Sequence, residues 1–278
     1  MTPKSILVHV AITDANSQHH APAIALAAEH GAHITGAMFN PAATLPPMVM
    51  ADVPAEWLQE REKQAHARNA KTANAFREQA AAAGVTCDIL EAHGAAEDLG
   101  DQFAALARQH DLTIVGQTNA DHADGISGTL LQSALFGSGR PILIVPYAGA
   151  PGAFDFSRIL VAWDGGAAAS RAAHDAIMLM SDAKDVDVVS VDMGKGDTDK
   201  TGPALATHLA RHGVTAKFHQ IPSGGIDAAN AILSHASDMG ANLIVMGGYG
   251  HSRLREFLLG GATRTILSSM TAPVLMAH

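Results

Sequence analysis

The stretch "MGGYGHSRLREFLLGGATRTIL", Met246 to Leu267, carries five glycines, Gly247, Gly248, Gly250, Gly260 and Gly261, ahead of an amphipathic run. Glycines after a strand let backbone N–H groups approach an anion closely, and the start of a following helix points a positive dipole end at it. The chemistry on offer is recognition of phosphate. The pattern, Gly247, two residues, Gly250, nine residues, Gly260, is neither GxxxxGK[ST] nor GxGxxG, so a Walker-type NTPase and an ordinary dinucleotide site are unsupported. By spacing alone the stretch also reads as a plain turn between a strand and a helix. His251, Arg253, Arg255 and Arg264 add cationic or titratable groups that could pair with phosphate, or with Glu256, or stay solvated.

Periodicity supplies the elements that must position this loop. In the C-terminal half, β-branched runs alternate with amphipathic ones: "RILVAW", a helix over Ala167–Ser181, "VDVVSVDM", a helix near Ala204–His212, and "AKFHQI". A helix over Asp227–Met239 follows, then "NLIVMG", the glycine stretch, a helix over Thr263–Ser269, and "PVLMA". The N-terminal half repeats the order with "SILVHV", Ala21–Glu29, "HITGAMF", Glu56–Ala83, "TCDILEA", Asp98–Gln109, "LTIVG" and "PILIVP". Matched segments such as "DLTIVGQ" with "NLIVMGG" and "GRPILIVP" with "MTAPVLMA" indicate a duplicated unit. The fold class expected is α/β, two tandem open five-stranded parallel sheets flanked by helices, divided as residues 1–149 and 154–278. The join is placed in Tyr147–Phe156. One insertion, Asn40–Trp57, carries four prolines and is expected as a crossover loop packing Leu45, Met48 and Met50, or as a lid or subunit contact.

Composition narrows the function. Charged residues make up 16% and no long uninterrupted apolar run occurs, so no membrane span is expected; the N-terminus lacks a secretory pattern, which suggests a cytoplasmic protein. A formal net charge of −9 with no dense basic cluster argues against nucleic acid. The single cysteine, Cys87, excludes an internal disulfide and reads as a small buried apolar residue. Met178, Met180 and Met239 read as core packing. Of 16 histidines, His208 and His212 lie four apart on an expected helix and His19 and His20 are adjacent. Neither pair has an evident third ligand, so they are read as surface histidines and no metal site is assigned. No HExxH or GxSxG occurs, and enzymatic turnover is unsupported.

In open parallel sheets ligands bind beyond the carboxyl ends of the strands, and three features converge there: Asp164 after "ILVAW", the end of "SVDM", and the glycine stretch. Asp164 followed at a distance by "MGGYGHSRLREFLLGGATRTILSSMTAPVLMA" resembles the nucleotide-binding half of the universal stress protein family, whose pattern is G-2x-G-9x-G-(S/T). The duplication resembles its tandem form. The resemblance implies a Rossmann-like, adenine nucleotide alpha hydrolase-like sheet and, in one subclass, ATP, with or without magnesium, in a cleft. It implies that Asp164 contacts the nucleoside, the Val191 backbone the adenine edge, and Gly247, Gly250 and Gly260 the phosphates. Met246, His251, Gly261, Ala262 and Thr263 complete that set. Gly261 stands where the family has Ser or Thr, so its N–H is kept and its hydroxyl lost; Thr263 could substitute.

In the first copy Ala11 replaces Asp164, Gly116 aligns with Gly247 and Asn119 with Gly250, while Gly128 and Thr129 keep the Gly-(S/T) pair; Asp121 and Asp124 would repel phosphate. This copy reads as a degenerate site. The leading expectation is a stress-response protein whose C-terminal copy binds an adenine nucleotide, occupancy altering shape or partners. A nucleotide-independent interaction scaffold and a slow ATPase are the alternatives. The copies are expected to pack as an intrachain pseudo-dimer, through the last strands as the resemblance implies, and whole chains could pair as a homodimer.

Overall fold

A computed structural model describes residues 2–11, 17–41, 55–118, 126–147, 152–194, 199–248 and 261–278. The N-terminal half contains β1 (Ser5–His9), α1 (His20–His30), β2 (His33–Pro41), α2 (Ala55–Ala82), β3 (Cys87–Gly94), α3 (Ala96–Ala107), β4 (Leu112–Gly116), α4 (Ser127–Gly137) and β5 (Ile142–Val145). The C-terminal half contains β6 (Arg158–Ala162), α5 (Ala167–Ala176), a 3-10 turn (Ile177–Leu179), β7 (Asp185–Asp192), α6 (Thr201–Arg211) and β8 (Ala216–Pro222). It continues with α7 (Ala228–Met239), β9 (Leu243–Gly247), α8 (Gly261–Ser269) and β10 (Val274–Ala277).

The strands form one sheet in the order β3-β2-β1-β4-β5-β10-β9-β6-β7-β8. Every pairing within a half is parallel. The two blocks of five meet at β5 and β10, which run antiparallel with Leu143 opposite Leu275. The expected pair of parallel sheets is therefore joined edge to edge, and the carboxyl ends of the two blocks face opposite ways.

Strand alternation divides the core into two layers. Ile6, Val8, Ile159, Val161, Leu243 and Val245 face α1, α2, α5 and α6, against residues such as Phe76, Ala172, Ala173 and Leu209. Leu7, Leu160, Ile244 and Met246 face α3, α4, α7 and α8, against Phe103, Leu130, Ala236 and Ile266. Because both faces are covered, the central strands read as unbroken apolar runs rather than alternating ones.

Side chains also cross the seam. Gln117 donates through Nε2 to the Leu267 carbonyl at 2.7 Å and accepts at Oε1 from the Tyr147 N–H at 3.0 Å, so this buried amide is satisfied at both ends. The Phe136 ring meets His278 edge to face at 5.1 Å. Arg171 donates to the Gly139 carbonyl.

Some local expectations change. The helix expected to reach Ser181 ends at Ala176 and tightens into the 3-10 turn. α4 occupies a segment where periodicity named no helix. β2 runs through Pro41 and α2 begins at Ala55, so the insertion shrinks to 42–54, which with Leu45, Met48 and Met50 lies outside the described residues. At the join, Phe154 and Phe156 stack at 5.4 Å and pack on the core rather than running free. Met180 is buried, and Met178 and Met239 are half-buried against the core. Cys87 is half-buried, because β3 is an edge strand, and burial still raises its thiol pKa against the lowering effect of Arg77. Among the described residues no helix is long and apolar enough to cross a membrane.

Candidate functional site

The strand order reverses direction between β6 and β9, which opens a crevice at their carboxyl ends. Ala162, the last residue of β6, is in register with Met246 on β9 and with Val189 on β7. Asp164 follows two residues later, Val191 lies two beyond Val189, and Gly247 ends β9, so these expected site residues share one edge of the sheet.

Asp164 is exposed and its Oδ1 accepts the Gly166 N–H at 2.8 Å. This turn needs Gly165 at φ +74°, in the left-handed region that favours glycine. Gly166 then begins α5 without a side-chain cap. The turn is fixed from its other side by a hydrogen-bond chain. Trp163 Nε1–H donates to Thr201 Oγ1 at 2.8 Å, and Thr201 donates to Asp199 Oδ1 at 2.7 Å. Burial disfavours charge on Asp199, but this hydroxyl and the N–H groups of Thr201 and Gly202 outweigh it and hold the carboxyl below the ordinary carboxylate range. Asp199, Thr201 and Trp163 were not singled out from the sequence; the Asp-x-Thr turn ahead of a helix was the available signal.

Gly247 has a packing reason to be glycine. A Cβ there would lie 2.4 Å from the Ala169 nitrogen and 2.7 Å from the Ala168 carbonyl carbon, because the first turn of α5 rests directly on β9. Gly261 is the opposite case: it opens α8, is exposed, and an added Cβ would meet nothing within 4 Å. Ala262 is exposed beside it, while Thr263, the candidate substitute hydroxyl, is buried at 4% exposure. Arg264 is exposed. Gly250, His251, Arg253, Arg255, Glu256 and Gly260 lie outside the described residues.

The corresponding edge of the N-terminal half is built differently. Gly116 ends β4, and Gly128 and Thr129 open α4 half-buried; Asn119, Asp121 and Asp124 lie outside the described residues. His19 and His20 are not surface residues as expected but buried, at 1% and 8% exposure. Where α1 begins they turn inward against apolar neighbours. His19 Nε2 lies 2.5 Å from the His9 carbonyl, His20 meets Phe76 edge to face at 5.4 Å, and His9 meets Phe103 at 6.3 Å. A carbonyl can only accept, so His19 carries its proton on Nε2. Burial, with the charge of His9 adding to it and the backbone hydrogen bond opposing, lowers the His19 pKa to about 4.

A separate open depression of about 720 Å³ runs from the first turn of α5 toward α6, lined by Ala167, Ser170, Arg171, His174, Leu205 and His208 among others. His208 and His212, paired on sequence spacing, are joined here by His174 from α5. Spacing along one helix could not show this third residue; the placement of α5 and α6 on one sheet face does.

The profile of the Universal stress protein family matches residues 155–278. No curated protein sequence matches significantly. Among solved structures, a universal stress protein from Archaeoglobus fulgidus DSM 4304 is similar at 16% identity and a TM-score of 0.73, covering 98% of this chain and 95% of that one. A functionally unknown protein from Pseudomonas aeruginosa PAO1 is similar at 14% identity and a TM-score of 0.58, covering 98% and 92%. A universal stress protein solved in complex with cAMP overlaps 53% of this chain and 99% of its own, at 19% identity and a TM-score of 0.34. Residues 155–278 are thus similar in sequence to the universal stress protein family, and the whole chain shares its fold with the Archaeoglobus fulgidus protein, in a tandem, two-unit layout.

Proposed function

We propose that the C-terminal unit, residues 154–278, binds an adenine nucleotide, with ATP as the preferred ligand, and that the N-terminal unit, residues 1–149, does not. The observation that carries this reading is the crevice between β6 and β9. There an exposed Asp164, the Val191 backbone, Gly247 and the exposed Gly261 that opens α8 share one edge. Asp164 would accept a ribose hydroxyl, and the N–H groups of Gly261 and Ala262 at the helix start would meet phosphate, helped by the helix dipole. Gly250, His251 and Gly260 belong to the same proposed set. Mechanistically this is a ligand shifting a conformational or partner equilibrium in a cytoplasmic stress response rather than a reaction.

Calorimetric titration of the full chain with ATP and magnesium, paired with thermal unfolding, tests it. One site per chain and stabilisation of about 2.7 kcal/mol at 100 times the dissociation constant are expected. Neither heat nor a thermal shift overturns the reading. One observation favours a second reading, a nucleotide-independent scaffold: the packing of α5 on β9 already accounts for the glycine at position 247. Slow ATP turnover that disappears in Asp164→Ala would instead mark an ATPase.

A further inference from the structure

Packing against the same apolar layer, α5 and α6 use Ala172, Ala173 and Ala176 on one helix and Leu205 and Leu209 on the other. The outward sides of their last turns bring three histidines together. One ligating nitrogen each of His174, His208 and His212 lies within 4.8 Å of the other two, and the ring centroids are 4.8 to 6.1 Å apart. We propose that these three side chains form a binding site for a divalent transition-metal ion, with zinc the ion that fits best.

The donor set is three imidazoles and no carboxylate, which favours zinc, copper, nickel or cobalt over magnesium or calcium. Zinc–nitrogen bonds of 2.0–2.1 Å in a tetrahedron require nitrogens about 3.3 Å apart. Ring rotations close the remaining gap, since His174 and His212 are exposed and His208 is half-buried. Backbone electrostatics act in the same direction. His174 lies in the last turn of α5, His208 in that of α6, and His212 caps α6, so two helix carboxyl ends with their partial negative charge converge on the site. One neighbouring cation, Arg171, is held elsewhere: it pairs with Asp175 at 3.0 Å and donates to the Gly139 carbonyl, while Arg211 stands exposed beside His212. His174 and His208 line the open depression, so a fourth coordination position is left for water or an exogenous ligand.

The bound ion would clamp α5 to α6 in the C-terminal unit, independently of nucleotide. The test titrates the full chain, stripped with chelator and free of nucleotide, with zinc in competition with a chromophoric chelator. One zinc per chain is expected, with affinity reduced at least 30-fold in each of His174→Ala, His208→Ala and His212→Ala. It is expected to be unchanged in the control His66→Ala/His93→Ala, a second exposed histidine pair with ring centroids 5.6 Å apart. Thermal unfolding without metal checks that the variants fold, and zinc should raise the midpoint of the wild type and the control only. Cobalt should give tetrahedral d–d bands that vanish in His174→Ala. Binding that survives His174→Ala and His212→Ala undiminished, or that the control loses equally, overturns the proposal, as does no zinc binding by the wild type.

Discussion

β1 and β6 occupy equivalent places at the centres of their blocks, each beside the strand where the order reverses, yet their carboxyl ends differ. At the end of β1, His9, His19 and His20 are buried together, His9 stacked on His19 while His19–His20, His20–Phe76 and His9–Phe103 meet edge to face. Beyond β6 stands an exposed carboxylate on a glycine turn, fastened by Trp163, Thr201 and Asp199. The same strand position can thus end in buried rings or in an exposed carboxylate. The His19 pKa of about 4 keeps that ring neutral at pH 7, and the buried His20 Nε2, with no hydrogen-bond partner among the described residues, costs stability.

The comparison can be broken most forcefully at Gly247. Replacing it with valine drives a side chain into the backbone of Ala168 and Ala169, which cannot rotate away, and should destabilise the protein by about 3 kcal/mol. Urea unfolding at unchanged slope reads this directly. An unaltered midpoint would show that α5 slides off β9 freely and that packing is not what requires glycine there.

Acid should attack the end with buried rings. His19 has a lowered pKa in the folded protein and the ordinary 6.5 when unfolded, so the unfolded chain binds the proton first as pH falls. Its contribution is intact above pH 6.5 and is lost progressively down to about pH 4, a total on the order of 3 kcal/mol, and His20, lowered by burial and by His19, adds in the same direction. Chemical denaturation between pH 7 and pH 4 should show this loss, reduced in His19→Gln. An equal loss in that variant would assign the acid sensitivity to other groups.

At the open end, Asp164→Ala should weaken ATP binding by about 2 kcal/mol, roughly 30-fold, if the carboxylate accepts a ligand hydroxyl. Asp164→Asn keeps an acceptor for the Gly166 N–H and so separates the turn from the ligand: calorimetry should place its affinity between wild type and alanine. Equal affinity in all three proteins would remove Asp164 from the site. The smallest effect is expected at Gly261→Ser, which enters open space; ATP should bind more tightly by about 1.5 kcal/mol while stability changes by less than about 0.5 kcal/mol. Unchanged affinity there would mean that phosphate does not reach the first turn of α8.

The strands were legible because parallel strands covered on both faces need continuous apolar runs, and "SILVHV" and "NLIVMG" have them. Helix ends were less so. Ile177–Leu179 continues the apolar pattern of α5, but the chain tightens to 3-10 there and Met180 drops into the core. α4 was hidden because "SGTLLQSALFG" carries apolar residues around most of its circumference beneath the seam. In the candidate site, residues tied to strand ends, Asp164, Val191 and Gly247, could be placed from register alone. What stayed illegible was three-dimensional. The inward turn of His19 and His20, the contact of Gly247 with α5, and the approach of His174 to His208 and His212 all depend on which sheet face each helix covers.

The antiparallel join of β5 to β10 has a consequence for how the molecule is kept together. A single five-stranded block would present its fifth strand as an open edge, to be capped by another molecule at a rate and occupancy set by concentration. Here the partner edge is tethered by a short connection, so capping is a first-order event that persists at any dilution. An edge-capping half needs only a matching strand and a sound core, so the N-terminal half can serve the whole chain as a permanent cover.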